Sequence, residues 1–139
     1  QRRVAATAAI GDADSPFLST FVLHSKLIAY NGLSDQGLAS SELVNWYQQA
    51  QTSGDPGGAE AMRLYLVPGM THCGGGKATD RFEMLDAIVD WVEHGKAPGR
   101  ILARTSSGPP LSRPLCPYPH IARYKGGDPN DAASFECRA

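Results

Sequence analysis

The sequence has no long apolar run and no excess of charge of either sign. No segment approaches the roughly 20 consecutive apolar residues that a membrane-spanning helix requires, and the N-terminus lacks the charged-then-apolar order of a signal peptide. Among the 139 residues, 13 Lys and Arg nearly balance 14 Asp and Glu, so the formal net charge is −1. Nucleic acids and anionic membrane surfaces require clustered basic residues. We therefore expect neither partner, and a small neutral ligand fits this charge balance better.

The chain also lacks an initial Met and an even number of cysteines. It begins with Gln1, which favours a piece of a longer protein from which an upstream segment was removed. Of its 3 cysteines, Cys116 and Cys137 are expected to form one internal disulfide, which leaves Cys73 for a bridge to another segment. Disulfides persist in oxidising compartments. We therefore expect a secreted or periplasmic protein.

The residues that are present alternate between short apolar runs and amphipathic stretches. The runs Lys26–Tyr30 and Met62–Val67 are each followed by a turn that contains Gly, which indicates two buried strands. Helical spacing and terminal signals predict helices around them. In chain order we expect a loop at 1–13, a short helix at 14–23, a strand at 26–30, a helix at 40–51, a surface connection at 52–59, a strand at 62–67, a helix from Thr79 or Asp80 to Gly95, and an edge strand at 101–105.

This order of elements predicts an α/β fold with a mostly parallel sheet. Two strands cannot form a stable open sheet alone, so an upstream partner segment is expected to complete it. Residues 106–139 contain many Pro, Gly and Asp residues, and we expect an irregular tail closed by a Cys116–Cys137 disulfide. The chain would then divide into residues 1–105, which belong to the sheet, and residues 106–139.

The last predicted helix has a wide apolar surface. Phe82, Leu85, Val89 and Val92 form one stripe at helical spacing, and so wide a face predicts heavy burial. The large aromatic residues at helical positions are most simply explained as core, namely Trp46, Tyr47 and Trp91.

Two residues capable of acid–base chemistry follow the two predicted strands. Asp35 comes shortly after the first strand and His72 shortly after the second. Chemistry in parallel sheets is located at the carboxyl ends of the strands, where these two residues would meet. On the residues alone, two simpler interpretations stay open: Asp35 could hydrogen-bond its own turn, and His72 could be a structural or surface residue.

Other functional interpretations of this region are weaker. The glycine run Gly74–Gly76 lacks the Gly-Lys-Ser/Thr ending of a phosphate-binding loop. Cys73 as a nucleophile is disfavoured because neighbouring residues on a loop tend to point apart. A zinc site from His72, Cys73, Cys116 and Cys137 lacks paired close spacing. We therefore expect no cofactor and no metal in this chain. The remaining histidines have no acid pattern near them and are expected at the surface: His24, His94 and His120.

Four segments resemble the tannase and feruloyl esterase family of α/β-hydrolases, which also includes bacterial hydrolases of aromatic monoesters. The most specific is the His-Cys-Gly-Gly-Gly run with the helix that follows it. The segments are Tyr-Asn-Gly-Leu-Ser-Asp at 30–35, Pro-Gly-Met-Thr-His-Cys-Gly-Gly-Gly at 68–76, Asp-Trp-Val-Glu-His-Gly-Lys-Ala-Pro at 90–98, and Ser-Arg-Pro-Leu-Cys-Pro-Tyr-Pro at 112–119.

The resemblance implies the C-terminal part of an α/β-hydrolase with a Ser-Asp-His triad in that chain order. Asp35 matches the acid, His72 matches the base, and Cys73 matches a cysteine that forms a disulfide with a cysteine beside the nucleophilic serine. The serine, the oxyanion-hole amides and the lid would belong to an upstream segment or a second chain. Thr71 stands where small residues are common in the family, and the stretch 36–38 after the acid is unusual.

The chemistry of these residue types agrees with that implication. Imidazole titrates near neutral pH and can accept and return a proton, while a carboxylate on its other nitrogen selects the tautomer. We therefore expect a serine carboxyl-ester hydrolase acting on small aromatic esters. Because no Gly-x-Ser-x-Gly occurs in the sequence, the isolated chain is expected to be inactive. The alternative is a non-catalytic binding module or an inactive processing fragment of a hydrolase.

Overall fold

The computed structural model describes residues 14–53 and 57–139, so the loop expected at 1–13 lies outside the described residues. Four helices and six strands are present in the described part. The helices are α1 (Ser19–Val22), α2 (Ser40–Thr52), α3 (Gly58–Ala61) and α4 (Met84–His94), and the strands are β1 (Leu27–Gly32), β2 (Met62–Val67), β3 (Ile101–Arg104), β4 (Ser112–Leu115), β5 (Ile121–Tyr124) and β6 (Phe135–Arg138), with a 3-10 turn at Ala132–Ser134.

Strands β1 and β2 form the parallel pair that the alternation of elements predicted. Their register runs from Leu27 opposite Met62 to Gly32 opposite Val67, so both strands end at the same edge. The sequence placed β2 and α2 correctly to within a residue, whereas β1 extends two residues further and includes Asn31 and Gly32. Because of this extension, the loop carrying Asp35 begins directly beside the end of β2.

The core lies on both faces of β2, as expected for a strand without a solvent face. On one face Leu64 packs against Tyr47 and Ala50 of α2. On the other face Tyr65 and Val67 join a cluster with residues of β3 and β4. Tyr47 and Trp91 are buried as predicted, and Trp46 is half-buried. The strand that leads to the His72 loop thus contributes buried residues to both core clusters.

The last helix begins later than the sequence predicted. Its N-cap is Glu83 and its first residue is Met84, so the expectation of a start at Thr79 or Asp80 is wrong. Arg81 instead forms a two-way backbone bridge with Arg104, with both N–O distances 2.9 Å. A residue held in this extended pairing cannot be part of a helix. The side chain of Asp80, which precedes it, is therefore available for hydrogen bonds other than a helix cap.

The outer stripe of α4 is exposed, and the prediction of its heavy burial is wrong for this chain. Leu85 is 72% exposed and Val92 60%, while only Trp91 of this helix is buried. The helix touches the core through Met84 and Ala87. This apolar stripe therefore stays exposed within the described residues, on a helix that contacts β1.

Residues 106–139 are more regular than the sequence predicted. Strand β4 pairs antiparallel with β3, and β5 pairs antiparallel with β6, so the pairing crosses the expected boundary at residue 105. The predicted disulfide Cys116–Cys137 is present. The tail also joins the outer edge of β2 through a hydrogen bond from Tyr118 N to Leu64 O of 2.8 Å. Among the residues described, no helix has the length and apolar character needed to cross a membrane.

Candidate active site

Two loops meet at the carboxyl edge of the parallel pair. The backbone of the first loop donates hydrogen bonds from Leu33 N to Val67 O and from Ser34 N to Met70 O, each 3.0 Å long. Asp35 N closes the turn by donating to Gly32 O at 3.1 Å. The loop that carries Asp35 is therefore tied at two points to the segment that leads to His72.

The carboxylate of Asp35 lies in contact with the imidazole of His72. Asp35 Oδ2 is 2.7 Å from His72 Nδ1, and the exposed fractions of the side chains are 1% for Asp35 and 61% for His72. The second oxygen, Oδ1, accepts hydrogen bonds from Gly37 N at 2.8 Å and Leu38 N at 3.0 Å. The carboxylate side chain is thus shielded from solvent and hydrogen-bonded through both oxygens, whereas the imidazole is exposed.

These contacts determine the charge of the acid and the tautomer of the base. The hydrogen bond from His72, followed by those from Leu38 and Gly37, lowers the pKa of Asp35 from 3.8 to about 2. An ionised carboxylate only accepts hydrogen bonds, so Nδ1 of His72 must carry the proton. In the neutral ring Nε2 is then the acceptor, and it is free to take a proton from a hydroxyl group.

Sequence reasoning missed the residues that hold Asp35 from behind. Asn31 is 8% exposed, and its Nδ2 lies 3.4 Å from Asp35 Oδ2. Ser40, the first residue of α2, donates from Oγ to Asn31 Oδ1 at 2.6 Å. The sequence did offer a signal, namely a polar residue at the end of a predicted buried strand. A buried polar side chain needs a hydrogen-bond partner.

The glycine-rich loop folds back on itself around His72 and Cys73. Thr71 N donates to Gly75 O at 3.4 Å, and Thr71 Oγ1 donates to Gly74 O. Cys73 carries a free thiol and is exposed. The loop therefore leaves both His72 and Cys73 exposed at the surface of this chain.

The remaining candidate residues lie elsewhere or are engaged. Cys116 and Cys137 are bonded to each other, so the zinc alternative has lost two of its four ligands. The described residues contain no group of three or more His, Cys, Asp or Glu side chains that could hold a metal ion. His24 and His120 are exposed as expected. His94 does have an acid neighbour, contrary to expectation: its Nδ1 lies 3.1 Å from Asp90 Oδ1, and both side chains are more than half exposed.

A cleft of about 410 Å³ lies between the strand ends and the tail. Leu33 and Pro68 line it from the sheet side, and Tyr118 and Phe135 from the tail side, but neither Asp35 nor His72 contributes to its wall. This cleft therefore does not by itself hold a substrate against the imidazole.

A parallel strand pair with a carboxylate–imidazole contact at its carboxyl edge, followed by a disulfide-closed tail, defines the C-terminal part of an α/β-hydrolase. The chain belongs to the tannase and feruloyl esterase family, whose model matches residues 2–138.

Relatives and solved structures agree with this assignment. The chain is 48% identical over 122 residues to a mono(2-hydroxyethyl) terephthalate hydrolase of Piscinibacter sakaiensis, covering 82% of this chain and 20% of that protein. It is 40% identical over 121 residues to a probable feruloyl esterase of Arthroderma benhamiae, covering 81% of this chain and 22% of that protein. The structure of an esterase from Aspergillus oryzae matches with a TM-score of 0.81 at 28% identity, covering 99% of this chain and 33% of that one. The chain thus spans about a fifth of the curated relatives and a third of that structure.

Proposed function

We propose that this chain supplies the acid and the base of a serine carboxyl-ester hydrolase whose nucleophile lies on an upstream segment. The observation that carries the proposal is the 2.7 Å contact between the enclosed Asp35 carboxylate and the open His72 imidazole. Family membership supports the reaction class, since the relatives named above are a terephthalate monoester hydrolase and a probable feruloyl esterase. In this proposal Asp35 and His72 are catalytic residues and Cys73 is a tether.

The geometry supports a two-stage reaction. In the first stage, Nε2 of His72 takes the proton of the serine hydroxyl while its oxygen bonds to the ester carbonyl carbon. The same proton passes to the leaving alkoxide as the ester C–O bond breaks, which leaves an acyl-serine. In the second stage, water replaces the alcohol: Nε2 takes a proton from water, the water oxygen bonds to the acyl carbon, and the proton returns to the serine oxygen as the carboxylic acid departs.

The substrate class and the tether follow from the family rather than from geometry. Esters of aromatic acids, such as hydroxycinnamoyl, galloyl or related monoesters, are the proposed substrates. A disulfide from the exposed Cys73 thiol to a cysteine beside the serine would hold the His72 loop against the nucleophile, where about 1 Å of misplacement can cost roughly 10²-fold in rate. The internal disulfide and this tether favour a secreted or periplasmic location.

The described residues also present a surface for the upstream segment. Strand β1 pairs only with β2 among the described strands, so its other edge has backbone groups available for a further strand. Tyr30 on this strand is 45% exposed, and helix α4, which contacts β1, carries the exposed residues Leu85, Val89 and Val92. We propose that the segment carrying the serine and the lid covers this surface.

The experiment compares the full-length protein with two histidine variants, using a chromogenic aryl ester. His72→Ala should abolish turnover, because no other group would accept the serine proton. His94→Ala is the matched control, because His94 also contacts an aspartate but lies on the exposed end of α4, and it should leave kcat unchanged. Turnover that survives His72→Ala would end the proposal, whereas a wild-type protein without turnover would favour the alternative of a non-catalytic module.

A further inference from the structure

Asp80 joins the glycine-rich loop to the segment that follows β3. Its Oδ2 accepts hydrogen bonds from Gly75 N and from Ser106 Oγ, each 2.8 Å long. Its Oδ1 accepts from Ser106 N at 3.0 Å. One side chain thus takes three hydrogen bonds from two segments that are otherwise separate in the chain.

Asp80 is one of several supports at the far end of the glycine-rich loop, together with the Met70–Gly76 backbone bridge and the buried residues Ala78 and Thr79. The near side is fixed because Met70 is fully buried and its carbonyl accepts from Ser34 N. Beyond that point Thr71, His72 and Cys73 are all exposed, so side-chain burial does not fix the loop within this chain. The position of the imidazole within this chain therefore depends on its contact with Asp35 and on the hydrogen bonds that hold the loop, including the one from Gly75 N to Asp80.

Asp80 is ionised wherever imidazole catalysis operates. The hydrogen bond from the Gly75 amide, followed by those from Ser106, lowers the pKa of Asp80 from 3.8 to about 2. Hydrogen bonds to an ionised acceptor are about twice as strong as neutral ones. Asp80 does not cap a helix, since α4 begins at Met84 with Glu83 as its N-cap. It also takes no part in the ion pairs found among the described residues.

We infer that Asp80, itself held by Ser106, is a positioning residue that fixes the glycine-rich loop so that His72 stays in register with Asp35. This inference rests on the proposed function, because a positioning role has meaning only if His72 is the base. Asp80 acts through the backbone of Gly75, three residues beyond His72, and touches neither the substrate nor the reacting atoms.

The test uses the full-length protein and three variants. Asp80→Ala should lower kcat by about 10-fold or more, because a loosened loop lets the imidazole leave its reactive geometry, while KM changes by less than about twofold. Asp80→Asn retains one acceptor oxygen and should recover part of the loss. Asp131→Asn is the matched control: Asp131 Oδ1 also accepts a backbone hydrogen bond, from Ala133 N at 2.9 Å, but in the tail, and its kcat should stay unchanged.

A second measurement reads the ring of His72 directly and needs no turnover. With ¹⁵N-labelled histidine, the wild-type ring should show a protonated Nδ1 and an unprotonated Nε2 above the titration range of imidazole. Asp80→Ala should move both signals toward the averaged values of a mobile ring, while the signals of His94 stay in place. If Asp80→Ala destabilises the protein too far, Ser106→Ala removes one of the three hydrogen bonds and should produce a smaller shift in the same direction.

The two measurements separate the two hypotheses. A wild-type protein without esterase activity contradicts the proposed function, and the ring signals then decide the role of Asp80 alone. Unchanged ring signals and unchanged kcat in folded Asp80→Ala would overturn the inference. A double variant Asp80→Ala/Ser106→Ala should lose no more activity than Asp80→Ala, since Ser106 acts through Asp80, and additive losses would also contradict it.

Discussion

Gly32 lies directly against the carbonyl of Met70, two residues before His72. A Cβ atom at Gly32 would stand 2.2 Å from Met70 O and 2.5 Å from Thr71 O, closer than any ordinary contact. The end of β1 and the start of the His72 loop can approach this closely only because residue 32 has no side chain. The spacing between Asp35 and His72 is therefore set by a backbone-to-backbone contact as well as by their own hydrogen bond.

The first prediction concerns Gly32→Ala. The added methyl group meets backbone atoms that cannot rotate away, so the His72 loop must move, and both the melting temperature and kcat should fall. Gly99→Ala is the control, because a Cβ there meets nothing within 4 Å. Thermal denaturation and aryl-ester turnover measure the two effects. A Gly32→Ala protein with unchanged kcat would show that this contact does not set the geometry of the pair.

The second prediction concerns Asp35→Asn. The amide can donate a proton to Nδ1, which favours the wrong imidazole tautomer, and kcat should fall by about 10⁴-fold, the loss that this change causes in a serine protease. Asp90→Asn, in the second aspartate–histidine contact, should leave kcat unchanged. Steady-state kinetics with both variants check this, and a loss below about 10-fold for Asp35→Asn would argue against a triad.

The third prediction concerns acid stability. The pKa values of Asp35 and Asp80 fall to about 2 in the folded chain. A group whose pKa is lowered by folding binds fewer protons in the folded state, so it contributes stability above its unfolded pKa and loses that contribution as the pH falls. The free energy of unfolding should therefore decrease between about pH 4 and pH 2. Urea denaturation across this range should show a shallower decrease for Asp35→Asn and for Asp80→Asn than for the wild type.

The fourth prediction concerns the exposed stripe of α4. Leu85→Gln and Val92→Gln alter side chains that are exposed in this chain. They should nevertheless lower the free energy of unfolding of the full-length protein, because burying each apolar side chain contributes roughly 1.5–3 kcal/mol to stability. Ile121→Gln, at a similarly exposed site of the tail, is the control. It should change the free energy of unfolding by no more than the roughly 0.5 kcal/mol typical of surface substitutions. Chemical denaturation of the full-length variants provides the comparison, and equal effects at all three sites would contradict the interface.

The fifth prediction concerns Cys73. In the full-length protein its thiol should resist alkylation until a reductant is added, because the proposed tether occupies it. Peptide mapping without reduction should then find Cys73 linked to the peptide that carries the nucleophilic serine. Rapid alkylation of Cys73 in the oxidised, folded protein would exclude the tether while leaving the roles of Asp35 and His72 intact.

The local pattern of the sequence determined the parallel strand pair, the helix α2 and the family. Apolar runs ended by turns located β1 and β2, because a buried strand needs continuous apolar residues and the chain must leave the sheet where they stop. The motif around His72 identified the family over most of the chain, and the cysteine count pointed to the Cys116–Cys137 bond. Apart from the disulfide, these conclusions depend on residues that are neighbours in sequence.

Tertiary structure alone decided the residues that act on distant partners. Asp80 follows the pattern of a helix cap, yet its oxygens are taken by Gly75 and Ser106, and the backbone of Arg81 pairs with Arg104. The sequence predicted Asn31 to be a turn residue, but it is buried at the end of β1 and donates a hydrogen bond to Asp35. The sequence predicted the outer stripe of α4 to be buried, whereas the fold leaves it exposed in this chain. Hydrogen bonds and burial depend on which segments meet in space, and a one-dimensional pattern does not contain that information.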